Sequence, residues 1–303
     1  GEYNGFKIVG EGSTLIGGDQ LKNLYDQAEI TEQGQGSVIE YDPMDDYIEK
    51  VVSVGGSSKI MLSVGCTEGS TLNKELLKKL GQKADLEIYD TPWETPLYVH
   101  YDPDGDRIWF TDSEMPVEAD LLFLMVAEKS GFKKVVYDFR YSRIVRERFT
   151  DIGIEGVAST VGRTSMYDNM KKLDADMGGE LSGHYYFREF SYLESPELFL
   201  LLLRNVIQQE GSNLSELLKP YRLYRQSGEI NFPLDEKALS KLEEHYKHAK
   251  ISKEDGLYVD LWDTEGWWFN VRPSHTEPVM RLYVEAKTDQ LLQEKLQDVK
   301  NLL

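Results

Sequence analysis

The stretch LYVHYDPDGDRIWFTD, from Leu97 to Asp112, constrains this chain more than any other. Leu97, Val99 and Tyr101 alternate with Tyr98 and His100, the period of a half-buried strand, and Asp102, Asp104 and Asp106 follow at once. A strand is therefore expected to end in a turn lined by carboxylates. Three carboxylates at alternate positions repel one another unless a cation sits among them, and an all-oxygen donor set suits Mg²⁺ better than Zn²⁺. Gly105 lets the backbone turn tightly between the ligands. A solvated acidic turn is the plain alternative. A calcium EF-hand fails twice, because it wants Gly where Arg107 stands and an acidic side chain where Ser113 stands.

With 303 residues and 40% hydrophobic side chains, the chain can build more than one packed core. Its formal charge of −19, with no basic run to offset it, argues against nucleic acid or an anionic membrane as partner. Cys66 is the single cysteine, so no internal disulfide can form and a reducing cytoplasm is the default compartment. The longest apolar run, Leu198 to Leu203, is far short of the ~20 residues of a membrane span and reads as a buried helix. GEYNGFKIVGEG has neither a basic n-region nor an apolar h-region, so no secretory signal is expected. The chain instead opens inside what reads as a hairpin, with FKIV, a GEGS turn and TLI, as if preceding structure had been cut away.

Further along, Asp19 is a plausible cap for the helix LKNLYDQAEI, and DPMDDYIEKVV reads as a linker helix. KIMLSVG is a strand, followed by the helix TLNKELLKKLG with Thr71 or Asn73 as its cap, which starts a β-α-β unit. LEIYD and LYVHYD are separated only by TPWETP, too short for a crossover helix, so they are expected to form a hairpin. After RIWFTD come a buried helix over Pro116 to Lys129 and a second β-α-β unit, KKVVYDF, SRIVRERFTDIG and GVASTVG. Met166 and Met170 stand at i, i+4, a core pattern. From Tyr221 onward the strands YRLYRQSGEINFPL, GLYVDLWDTEGWWFNVRP and MRLYVEA and the amphipathic DQLLQEKLQDVKNLL read as a separate α+β domain.

Two further stretches carry chemistry. GGELSGHYYF sets Glu180, Ser182 and His184 at alternate positions, which point one way if the backbone is extended and would suit a polyhydroxylated ligand. A tight turn with Glu180 and His184 capping nearby backbone is the structural alternative. NVRPSHTEP sets Arg272, Ser274, His275 and Thr276 in a turn between Pro273 and Pro278, the groups a phosphate dianion needs. Ser274-His275 is not a hydrolase pair, since adjacent residues do not face one another and no GxSxG elbow surrounds them.

Taken together, DPDGDR, GGELSGH and RPSHTEP, in this order along nearly the whole chain, resemble the metal, sugar and phosphate loops of the α-D-phosphohexomutase family. YNGFK resembles the segment just downstream of that family's phosphoserine loop, and SGEINF with WWFNVRPSHTEP leans toward the phosphomannomutase branch. The resemblance implies a multi-domain fold of related α/β domains with mixed sheets plus a C-terminal α+β domain. The expected divisions are a first-domain remnant with the linker helix at 1–55, a shortened second domain at 56–113, a third at 114–218 and a fourth at 219–303. It also implies interconversion of mannose or glucose 1- and 6-phosphates through a phosphoserine, with Mg²⁺ offsetting charge on the transferring group. Asp102, Asp104 and Asp106 would bind the metal. Arg107, Arg163, Glu180, Ser182 and His184 would contact the sugar, and Arg272, Ser274, His275 and Thr276 the phosphate. Lys7 would be the candidate general acid/base.

Asp-x-Asp-Gly after a strand also resembles a haloacid dehalogenase-type phosphatase, which however expects Thr or Val where Asp106 stands. Departures from the mutase pattern are definite. No TASHNP-like serine loop occurs, Arg163 and Tyr167 stand where the family often has His and Lys, and His275 where it usually has Gly or Asn. The 303 residues alone are therefore expected to lack mutase activity, with the serine loop supplied by a separate N-terminal fragment. A catalytically silent fragment that binds phosphosugar or a partner chain is the alternative.

Overall fold

The opening hairpin forms, but it is short. The computed structural model, which describes residues 7–28, 37, 39–57, 60–66, 71–89, 97–113, 115–274 and 278–303, begins with antiparallel strands β1 (Ile8–Val9) and β2 (Leu15–Ile16). Helix α1 (Gly18–Gln27) follows, with Gly17 and not Asp19 at its N-cap. Leu24 and Tyr25 stay exposed on it. Helix α2 (Met44–Gly55), read above as a linker, is built into the core: Met44, Ile48 and Val51 lie along one face and are buried.

The second unit contains β3 (Ile60–Cys66), α3 (Thr71–Ala84), β4 (Leu86–Tyr89), β5 (Leu97–Tyr101), β6 (Ile108–Asp112) and β7 (Met115–Pro116), in the sheet order β4-β3-β5-β6-β7. The expected hairpin between LEIY and LYVHY is thus corrected, because β3 lies between them and runs parallel to both. The reason is stagger. Tyr89 at the end of β4 and Tyr98 near the start of β5 both register with Ser63, so β4 pairs with the first half of β3 and β5 with the second. The TPWETP turn itself lies outside the described residues.

The third unit runs through α4 (Ala119–Lys129), β8 (Lys134–Asp138), α5 (Arg143–Ile152), β9 (Glu155–Ser159), α6 (Arg163–Leu173), β10 (Met177–Gly179), β11 (Tyr185–Phe187), β12 (Leu193–Glu194), α7 (Pro196–Glu210) and α8 (Leu214–Leu218). Its sheet has the order β12-β11-β10-β8-β9, parallel across β10-β8-β9 and antiparallel across β12-β11-β10. Helix α7 starts where Ser195 accepts a hydrogen bond from the Leu198 amide and Pro196 takes the first helical position. Met166 and Met170 are buried under this sheet, as their spacing predicts. One continuous core joins α2, β5, β6, α4 and α7, so the second and third sheets are fixed to each other.

The C-terminal unit is antiparallel, with β13 (Arg225–Gln226), β14 (Ile230–Pro233), α9 (Glu236–His245), β15 (Lys250–Ser252), β16 (Leu257–Asp260), β17 (Trp267–Pro273), β18 (Val279–Ala286) and α10 (Asp289–Leu302). The strands follow the order β13-β18-β17-β16-β15, with β14 also paired to β18. Leu242, Trp267, Phe269, Leu282, Val284 and Val299 form a core of their own. Among the described residues no helix is long and apolar enough to cross a membrane.

One buried acid makes stability depend on pH. Glu197 lies beneath α2, where the Tyr47 hydroxyl donates to its Oε2 at 2.6 Å. Burial pushes the carboxyl from the ordinary 4.5 up to about 7, against the pull of the Tyr47 hydrogen bond. The folded pKa is the higher one, so the folded state keeps a proton the unfolded chain has lost. Stability should be full below 4.5 and fall as pH rises to about 7. Glu197→Gln is expected to be more stable than the parent at pH 8, with the gap closing toward pH 5 in urea unfolding. Identical pH slopes for the two proteins would refute this assignment.

Candidate active site

Strands β5 and β6 pair antiparallel with Tyr101 opposite Ile108, so residues 102–107 form the loop between them. Gly105 takes a left-handed φ of +73°, and its amide donates to the Asp102 carbonyl at 3.3 Å. The Arg107 amide donates to Asp102 Oδ1 at 3.3 Å. Asp102, Asp104 and Asp106 thereby bring carboxylate oxygens within 4.8 Å of one another. The loop accepts a cation: the Lys7 ammonium lies 2.8 Å from Asp104 Oδ2 and forms a close ion pair with Asp106. Burial alone would lower the Lys7 pKa, but the two carboxylates raise it. Asp104 is held below its usual range by Lys7, whereas burial and the neighbouring charges push Asp102 up. With hard oxygen donors at this separation, the three aspartates fit Mg²⁺.

The sugar-loop residues meet, though not on an extended backbone. Residues 180–184 form a tight turn between β10 and β11, closed by the Glu180 amide donating to the His184 carbonyl at 3.0 Å and the Gly183 amide to the Glu180 carbonyl at 3.0 Å. Of the two backbones considered above, extended chain or tight turn, the turn is the one adopted. The turn docks on the acidic loop's exit, where the Ile108 amide donates to the Gly183 carbonyl at 3.0 Å. Gly183 has a φ of +88°, and a Cβ there would meet the Ile108 carbonyl oxygen at 2.8 Å, so no side chain fits.

His184 joins the two loops. Its Nε2 is 3.3 Å from Asp106 Oδ1, and its Nδ1 is 3.1 Å from Glu180 Oε2 and 2.9 Å from Ser182 Oγ. Burial disfavours the imidazolium, yet the carboxylates on either side win and raise its pKa to about 9. The two carboxylates thus favour the charged form of the ring. Asp106, His184 and Glu194 form a second grouping of possible metal ligands, which shares Asp106 with the first. The Arg107 Nε approaches the same ring at 3.2 Å. Glu180 also accepts from the Gly162 amide at 3.0 Å and the Tyr186 hydroxyl at 2.6 Å, while Arg163 is held by Glu194 at 2.5 Å.

Arg272, on β17, registers with Arg281 on β18. Both guanidinia reach Glu229, Arg272 at 3.6 Å and Arg281 at 3.0 Å, and Arg140 donates to the same carboxylate at 3.0 Å. Three guanidinia thus meet at one carboxylate. Burial and the Arg140 charge lower the Arg272 pKa, and its buried Nε has no hydrogen-bond partner among the described residues. Ser274 sits where its amide donates to the Val279 carbonyl at 2.8 Å, closing the base of the next loop. His275 and Thr276 lie outside the described residues.

Asp138 connects this cluster to the sugar turn. It binds Arg140 through Nε at 2.9 Å and NH2 at 2.5 Å, and its Oδ2 accepts from the Leu181 amide at 3.2 Å. Sequence reasoning missed Asp138, Arg140, Glu194, Glu229 and Arg281. A signal existed for the first two, an acid that ends the strand KVVYD and a base two residues on.

Comparison with known proteins agrees with this geometry. Residues 119–224 match the family model "Phosphoglucomutase/phosphomannomutase, alpha/beta/alpha domain III", and residues 229–302 the "Phosphoglucomutase/phosphomannomutase, C-terminal domain". A phosphomannomutase of Methanocaldococcus jannaschii is 31% identical over all of this chain and 76% of its own length. The chain belongs to the phosphoglucomutase/phosphomannomutase family. A phosphomannomutase of Salmonella montevideo is 28% identical over 100% of the chain and 77% of its own length. Among solved structures, a member of the family from Burkholderia thailandensis has a TM-score of 0.75 at 23% identity, covering 94% of this chain and 70% of that one. Aspergillus fumigatus N-acetylphosphoglucosamine mutase, solved with GlcNAc-6P and magnesium, has a TM-score of 0.63 at 16% identity, covering 86% of this chain and 65% of that one. The mixed α/β architecture is that of the phosphohexomutases.

Proposed function

We propose that this member of the family binds a hexose phosphate across its three loops and takes part in phosphoryl transfer between the 1- and 6-positions of mannose or glucose phosphate. The observation that carries this reading is the unbroken polar path from Asp106 through His184 and Glu180 to the sugar turn, and on through Asp138, Arg140 and Glu229 to Arg272. Asp102, Asp104 and Asp106 would hold Mg²⁺, which when bound supplies positive charge beside the transferring group. Arg272, with Arg140, Arg281 and the loop residues Ser274, His275 and Thr276, grips the phosphate that is not transferred. Glu180 and Ser182 take the sugar hydroxyls, oriented by His184, with Arg107 and Arg163 at the margins of that turn. Lys7 holds its proton beside Asp104 and Asp106, as an acid for the leaving hydroxyl must.

The phosphoserine of this reaction comes from outside these 303 residues. Conversion of mannose 1-phosphate to the 6-phosphate, seeded with hexose bisphosphate, is expected to be absent for the 303 residues alone. It should begin when a polypeptide carrying the family's serine loop is added. Asp104→Asn should weaken Mg²⁺ binding about tenfold in calorimetry while sparing the fold, because one ligand charge is lost from a largely exposed side chain. Turnover by the 303 residues alone would rule out the external carrier, and unchanged Mg²⁺ affinity would rule out the metal site.

A further inference from the structure

Glu285 is fully buried, yet it takes no part in the site described above. It lies on β18, four residues beyond Arg281, so the two side chains point to the same face of one strand. Its carboxylate crosses from the C-terminal unit to the third. The Ser142 hydroxyl donates to Oε1 in a close hydrogen bond, the Arg143 amide donates to Oε2 at 2.8 Å, and the Trp268 indole donates to Oε2 at 2.6 Å. Ser142 is the N-cap of α5 and Arg143 its first residue, so Glu285 sits at the positive end of that helix. Asp120 braces the same joint, accepting from the Ser142 amide at 2.9 Å and the Gln226 amide group at 2.7 Å.

The joint is placed where it matters. The segment clamped by Glu285 begins at Asp138 and Arg140, which connect the sugar turn to the arginine cluster. Across this boundary the strands that carry the sugar turn lie in one hydrophobic core and those that carry Arg272 and Arg281 in another, with Leu181 of the turn packed against Trp262, Trp268 and Tyr283 as well. A hexose phosphate that touches both sides gains from having them held at the right separation, whereas a ligand that touches one side does not.

We infer that Glu285 is a positioning residue, which fixes the separation between the sugar turn and the Arg272 cluster so that both ends of one hexose phosphate are gripped at once. This rests on the proposed function and adds to it the residue that sets its geometry. The test compares three ligands by calorimetry. In Glu285→Ala, mannose 6-phosphate should bind about tenfold more weakly, while Mg²⁺ alone and inorganic phosphate alone stay within about twofold of the parent. Glu285→Gln should restore mannose 6-phosphate binding, because its amide oxygen still accepts from Arg143 and Trp268 and its NH₂ can donate to Ser142. Unchanged mannose 6-phosphate affinity in Glu285→Ala, or parallel loss of all three ligands, would overturn the inference.

A ligand-free readout separates this from the parent reading. Amide hydrogen exchange over residues 138–145 should quicken about tenfold in Glu285→Ala and in the milder Ser142→Ala. If exchange there is unaltered in both variants, Glu285 does not hold the joint. Failure of the parent itself to bind mannose 6-phosphate would instead remove the proposed function, and the positioning role with it.

Discussion

Arg272→Ala is expected to weaken hexose phosphate binding by about 2 kcal/mol, roughly thirty-fold, while leaving unphosphorylated mannose almost unaffected. The guanidinium is buried on the sheet face beside Arg140, which Asp138 and Glu229 hold, and its own contact with Glu229 is long, at 3.6 Å. Burial first, and then the Arg140 charge, lower its pKa, the mark of a cation that gains when a dianion arrives. Removing it should also leave the fold stable, because its loss relieves repulsion from Arg140 and Arg281. Calorimetric titration with mannose 6-phosphate and with mannose would check this. Equal losses for the two ligands would sink the phosphate assignment.

Arg204→Ala should destabilise the protein by about 4 kcal/mol, a large part of the stability of an ordinary domain. Arg204 is 1% exposed on α7 and, among the described residues, has no carboxylate hydrogen-bonded to it. It donates instead to the Ala84 carbonyl at the end of α3, at 3.1 Å, and to the Gly55 and Gly56 carbonyls at the end of α2, both at 3.0 Å. Those carbonyls have no partner within their own helices, and the negative ends of two helix dipoles stabilise the cation. Truncation would strand the buried Ala84 carbonyl, leave the Gly55 carbonyl with only the Asn205 side-chain amide at 2.8 Å, and open a void between α2, α3 and α7. Arg204→Lys should recover only part of the loss, since one ammonium cannot reach both helix ends as a planar fork does. Urea unfolding followed by circular dichroism measures the difference, and a change under about 1 kcal/mol would contradict the capping role.

The local elements were legible in the sequence because their signals are local. Period-two alternation placed β5 and β6 around the acidic loop, Gly105 marked its turn, and Ser195-Pro196 marked the start of α7. The three site loops could be read for the same reason, since each gathers its donors within a few residues. What depended on pairing between distant segments could not be read this way. The insertion of β3 between β4 and β5 follows from a register that neither strand encodes alone. The sharing of Glu229 by Arg140, Arg272 and Arg281, the Leu181 amide on Asp138, and Glu285 at the head of α5 join residues far apart in the chain. Arg204 follows directly on the apolar run Leu198 to Leu203, and only the folded chain brings two helix ends to it. A charge inside an apolar pattern reports that a partner exists, but only the packing of α2 and α3 against α7 decides which backbone groups supply it.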